Sequence, residues 1–128
     1  MKRIRAAKEL SSKLIVLVED DDLMAGWLVD ALKEETPYHI IRVATARQAL
    51  HLLCQVHAHL LLLDFRLPDM TGIELFDQLR SRNTFQPMPT ILTSASLLKQ
   101  EHGDRLLTYL EKPFDFDELL QLIERMLS

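Results

Sequence analysis

The chain has a single cysteine, Cys54, among its 128 residues, which excludes an internal disulfide and points to a reducing setting such as the cytoplasm. No apolar run approaches the roughly 20 residues a membrane span requires. The N-terminal MKRIRAAKELSSK is basic but lacks a following apolar segment, so it is not a secretory signal. A soluble, unexported protein is expected. Positive charge is not in excess either: 15 basic against 19 acidic residues give a net charge of −4. That is not the surface of a nucleic-acid binder. Low-complexity linkers and repeats are missing too, and 128 residues enclose one sizeable core rather than two. The reading is one domain, residues 13–128, preceded by a charged, weakly periodic extension over residues 1–12.

What the chain has is alternation. LIVLV at 14–18, HLLLL at 59–63 and TILTS at 90–94 are short runs, apolar on both faces and each followed by polar groups. Such runs suit strands of a parallel sheet covered on both sides. YHIIRV at 38–43 and RLLTYL at 105–110 are more mixed and read as edge strands. Helical spacing appears in Met24, Leu28, Ala31 and Leu32, then in Ala46, Leu50, Leu53 and Cys54. Further helices fit Ile73 to Arg82, a short piece at Leu97 to Gln100, and Phe116 to Leu127. PDMTG and NTFQPMP read as loops. The order predicts an α/β fold with a doubly wound, five-stranded parallel sheet.

In such a sheet ligands bind outside the carboxyl ends of the strands. Glu19, Asp20 and Asp21 follow the first strand, Asp64 the third, Thr93 and Ser94 end the fourth, and Lys112 follows the fifth. Carboxylates converging there repel one another unless a cation intervenes. Mg²⁺ takes oxygen ligands and keeps several waters; Asp20 and Asp64 are candidate ligands, with Glu19 acting through water. Lys112 and Ser94 suit the oxygens of a phosphoryl group. The chemistry this assembles is attack by a carboxylate on phosphorus, with Asp64 as nucleophile.

LIVLVEDD, LLLLDFRLPDMTG, PTILTSA and YLEKPF stand in this order, each at a strand end, and together the sequence resembles the receiver domains of bacterial two-component response regulators. The resemblance covers residues 14–127. It implies the flavodoxin-like, CheY-like receiver fold, Glu19 and Asp20 as the acidic pair, and Asp64 as the phosphorylated residue. It further implies the Arg66 backbone carbonyl as third protein ligand to Mg²⁺ and Ser94, rather than Thr93, as the switch hydroxyl. Tyr109 matches the switch aromatic, Lys112 the invariant lysine, and Pro113 a proline often preceded by a cis bond. The implied partners are a sensor histidine kinase or phosphotransfer protein, and a C-terminal effector domain or downstream protein; a homodimer is left open.

The sequence departs from the family between Ser94 and Lys112, where SLLKQEHGDRLLTYLE is shorter than usual by about one helical turn. The fourth helix of that fold is therefore expected to be short, and the output face unusual. This motivates an alternative, a receiver-like interaction module that is not phosphorylated, although the intact acidic pair, Asp64 and Lys112 stand against it. A phosphatase would want a second Asp where Arg66 stands. His57 and His59 read as exposed, by strand alternation or in a loop, rather than as a metal clip. Trp27 reads as core or a partner-facing patch.

Overall fold

The computed structural model describes residues 12–82, 87–96 and 104–128. In chain order the elements are β1 (Leu14–Val18), α1 (Asp22–Glu35), β2 (His39–Val43), α2 (Ala46–Leu53), β3 (Leu60–Asp64), α3 (Gly72–Arg80), β4 (Thr90–Ser94), β5 (Leu107–Glu111) and α4 (Phe116–Leu127). The strands form one sheet in the order β2-β1-β3-β4-β5, and every pairing is parallel. This is the expected doubly wound α/β fold, with β2 and β5 at the edges. The short helix expected at Leu97 to Gln100, and nearly all of the extension before Lys13, lie outside the described residues.

Two-residue periodicity explains the doubly apolar runs. Ile15, Leu17, Leu60, Leu62 and Ile91 pack with Leu28 and Leu32 of α1 and with Leu119 and Ile123 of α4. Val16, Val18, Leu61, Leu63 and Leu92 turn the other way, against Ala46 and Ala49 of α2 and Leu75, Phe76 and Leu79 of α3. Complete burial of a leucine contributes about 2 kcal/mol, so the three central strands form a stiff base for whatever stands at their ends. Several boundaries differ from expectation. β2 starts at His39 instead of Tyr38, β3 runs one residue later and includes Asp64, α3 spans Gly72–Arg80 instead of Ile73 to Arg82, and β5 runs Leu107–Glu111 instead of 105–110. The late start of β5 has a local cause. Asp104 accepts hydrogen bonds from Leu106 N (2.9 Å) through its carboxylate and from Leu107 N (3.0 Å) through its carbonyl, turning the chain there.

His57 is exposed, but His59 is half-buried, and its Nδ1 accepts a hydrogen bond from Leu14 N at 3.1 Å. That bond requires neutral imidazole with its proton on Nε2, a tautomer unsuited to chelation with His57. Burial, then His57 and then Lys13, hold its pKa below the ordinary 6.5. The unfolded chain therefore binds more protons than the folded one between the two values, so this contribution is complete above about pH 6.5 and lost as the pH falls through the folded pKa. His59→Asn, which keeps an acceptor near the Nδ1 position, should remove that step from the pH profile of urea midpoints. An unchanged profile would refute the assignment.

Two glycines give opposite expectations. A Cβ on Gly72 would lie 2.6 Å from the Asp64 carbonyl oxygen and 2.6 Å from Leu92 Cδ1, and the strand backbone has no room to retreat. Gly72→Ala should cost about 1–3 kcal/mol by overpacking. Gly26, inside α1, has nothing within 4 Å of its added Cβ, so Gly26→Ala should stabilise by about 0.5–1 kcal/mol. Urea titration of both variants checks the pair.

Candidate functional site

The chain leaves β1 for one side of the sheet and β3 for the other, which opens a crevice beyond their carboxyl ends. Into it the first acidic run sends only part of itself. Glu19 and Asp20, with Asp64 from β3, place carboxylate oxygens within 4.8 Å of one another. Asp21 instead caps α1, accepting from Leu23 N (3.0 Å) and Met24 N (3.3 Å), a role that favours Asp at a helix start. Asp22 approaches the Arg42 guanidinium at 2.9 Å. That nitrogen makes no hydrogen bond, so the contact is an ion pair off the hydrogen-bonding direction. Arg42 Nε donates to the Glu19 carbonyl at 2.9 Å, steadying the end of β1.

Lys112 comes from the end of β5. Its Nζ donates to Asp64 Oδ1 at 3.0 Å and stands 3.8 Å from Glu19 Oε1. Its backbone N–H donates to the Ser94 carbonyl at 2.7 Å, which fixes the lysine relative to β4, and its bond to Pro113 is cis. Burial drives the Glu19 carboxyl above its ordinary value of 4.5; the Asp21 N–H and Lys112 oppose this, and Asp64 and Asp20 add to it. A hard divalent cation relieves such crowding. Three oxygen donors at this spacing suit Mg²⁺, which is usually held by one or two carboxylates and keeps the rest of its shell as water.

Beside the carboxylates is a cleft of about 210 Å³ lined by Asp64, Phe65, Arg66, Ser94, Ala95, Ser96, Tyr109 and Lys112. Ser94 faces it and Thr93 does not. Ser94 Oγ donates to the Ser96 carbonyl (2.9 Å) and accepts from Ser96 N (3.2 Å). A wider hollow of about 770 Å³ runs along α2 between Arg42 and Gln55, but it has no carboxylate in its walls. Every residue singled out from the sequence as a site candidate, namely Glu19, Asp20, Asp64, Arg66, Ser94, Tyr109 and Lys112, thus belongs to the crevice or the adjoining cleft.

The sequence model of the response regulator receiver domain matches residues 15–124. The chain belongs to that family. Among curated relatives, this receiver domain is 30% identical over 116 residues to the regulatory protein AtoC and 31% identical over 117 to the DNA-binding transcriptional regulator NtrC, both of Escherichia coli. Each alignment covers 89% of this chain and 25% of the relative, so the chain spans about a quarter of their length. The fold agrees with a CheY-like receiver from Methylobacillus flagellatus (25% identity, TM-score 0.77, 91% of this chain and 99% of that one). It also agrees with the receiver domain of a sensor histidine kinase from Pseudomonas aeruginosa (25%, 0.76, 91% and 98%), which has a magnesium ion coordinated in its active-site cleft. Receiver domains are signalling switches that bind Mg²⁺ at an acidic site, and this one has the acidic cluster.

Sequence reasoning missed Asp69, Gly72 and Arg42. Asp69 and Gly72 fall in PDMTG, read as a loop, yet Gly72 is the first residue of α3. A signal was present: Thr71 and Glu74 form a reciprocal capping box, the Thr-x-x-Glu pattern of a helix start. Nothing in the sequence marks Arg42, which acts across strands.

Proposed function

We propose that this receiver domain, residues 13–128, takes a phosphoryl group on Asp64 from phosphohistidine of a sensor histidine kinase or phosphotransfer protein. The observation that carries the reading is the Asp64–Lys112 contact at 3.0 Å beside three clustered carboxylates. An Asp64 carboxylate oxygen attacks phosphorus; the P–O bond forms as the P–N bond breaks, the electron pair stays on nitrogen, and the donor imidazole leaves neutral because its other ring nitrogen carries a proton. Lys112 neutralises charge on a phosphoryl oxygen. Asp20, Asp64 and the Arg66 carbonyl would hold Mg²⁺, with Glu19 through water, and the bound ion would offset the remaining phosphoryl charge. Ser94 would exchange its bonds to Ser96 for a phosphoryl oxygen, and Tyr109, on the same cleft, would follow. The altered face would comprise β5, α4 and the segment after β4, read by an effector domain or a downstream protein, with a homodimer as one form of output. Cytoplasmic location suits a donor that uses phosphohistidine. Nucleic acid is not a partner of the domain itself.

The test is incubation with Mg²⁺ and a small acyl phosphate. One phosphoryl group should add to Asp64, in an acid-stable, base-labile linkage located by mass spectrometry, and chelation of the metal should prevent it. A folded, Mg²⁺-loaded protein that gains no phosphoryl group would leave the alternative, an unphosphorylated interaction module.

A further inference from the structure

The connection between β3 and α3, residues 65–71, is held at its ends by backbone. Phe65 N donates to Thr93 O at 2.8 Å, Gly72 N to Phe65 O at 2.7 Å, and Arg66 bridges Thr71. Its middle is fastened differently. Asp69 Oδ1 accepts from Ala46 N at 3.0 Å and Oδ2 from Arg47 N at 2.9 Å, so one carboxylate takes the first two N–H groups of α2. That helix caps its own third N–H, through Gln48 N to Thr45 Oγ1 at 3.0 Å, and Gln48 Oε1 returns to Ala44 N at 2.8 Å and Thr45 N at 3.3 Å. The cap is complete only with a residue more than 20 positions away in the chain. Burial raises the Asp69 pKa, but the N–H groups of Arg47, Ala46 and Asp69 itself, together with the Arg47 charge, outweigh it and hold the carboxyl below its ordinary 3.8. A negative group at a helix N-terminus is also favoured by the peptide dipoles.

If the role were capping alone, any polar residue near Thr45 would serve. Asp69 lies three residues beyond Arg66, a residue of the cleft wall, so the same two bonds that finish α2 also limit how far the Arg66 backbone can drift. We infer that Asp69 is a positioning residue for the metal, anchoring the loop to α2 and thereby fixing the Arg66 carbonyl at the crevice. This rests on the reading that Mg²⁺ is held there by that carbonyl and the carboxylates.

Mg²⁺ alone, titrated into the full chain and followed by backbone amide NMR shifts well below the unfolding temperature, tests it. Asp69→Ala should weaken Mg²⁺ binding about tenfold, the lower end for groups that orient ligands from outside. It should also speed amide exchange across residues 65–71. Thr45→Ala damages the same cap from the helix side and leaves the loop anchored, so its Mg²⁺ affinity should match the parent's. Asp69→Asn loses the same charge as Asp69→Ala but keeps an acceptor, and should recover part of the affinity. Parental affinity in Asp69→Ala, equal losses in the Ala and Asn variants, or equal losses in Thr45→Ala and Asp69→Ala would each overturn the positioning role. A parent chain that binds no Mg²⁺ would overturn the metal reading, and this one with it.

Discussion

Asp64→Asn should abolish phosphoryl uptake from an acyl phosphate and, measured without Mg²⁺, should make the folded protein more stable. The first effect is chemical: an amide oxygen is too weak a nucleophile to replace a carboxylate. The second is electrostatic. Asp64 has two like charges, Glu19 and Asp20, within 4.8 Å and one opposite charge, Lys112, at 3.0 Å. Unit charges about 4 Å apart interact by about 4 kcal/mol at an effective dielectric near 20, so two repulsions outweigh one attraction. Solvent at this rim reduces the surplus to about 1–2 kcal/mol. The urea midpoint should therefore rise in the variant that no longer functions, the usual sign of a strained functional site. Saturating Mg²⁺ should narrow the difference, because the ion removes the repulsion in the parent. A lower midpoint for Asp64→Asn under metal-free conditions would contradict this account of the charges.

Removal of Lys112 should act with the opposite sign on stability. Lys112→Ala leaves Asp64 and Glu19, whose side chains are 11% and 4% exposed, without their cation. Breaking a fully buried pair costs about 3–5 kcal/mol; with the lysine side chain 27% exposed, about 1–2 kcal/mol is the expected loss. Phosphoryl uptake should fall by about a hundredfold or more, the scale on which a preorganised charge-stabilising group contributes. Mg²⁺ should nevertheless bind more tightly, since a positive charge has left the neighbourhood of the carboxylates. Slower transfer together with tighter metal binding separates a role on the phosphoryl group from general damage, which would weaken both. If metal affinity dropped in step with uptake, Lys112 would be a structural residue only.

Particular residues show where the sequence was legible. LIVLV, LLLL and TILTS were recognisable as central strands because burial on both faces leaves no polar position to hide the pattern. Phe116–Leu127 is legible to the residue, since its buried Leu119, Ile123 and Leu127 follow helical spacing without interruption. The start of β5 is not legible, because RLLTYL continues the apolar run back through Leu106, while the turn at Asp104 that ends it is made by hydrogen bonds no periodicity reports. For His59, strand alternation or a loop predicts exposure, whereas the ring is half-buried and bonded to the first residue of β1.

The run Glu19-Asp20-Asp21-Asp22 shows the same boundary within the site. Four consecutive acids predict a clustered charge but not its division of labour. Two of them join the crevice, one caps α1 and one pairs with Arg42.

Fold class, strand order of burial and the chemical character of the rim were set by contiguous residues, because periodicity and strand-end chemistry depend on near neighbours in the chain. The link from Asp69 to α2, the close approach of Gly72 to the Asp64 carbonyl and the hold of Arg42 on Glu19 came only with the tertiary structure. Each is a contact between residues that eight or more positions separate, and which distant groups meet depends on how helices pack against the sheet, not on any local preference of the chain.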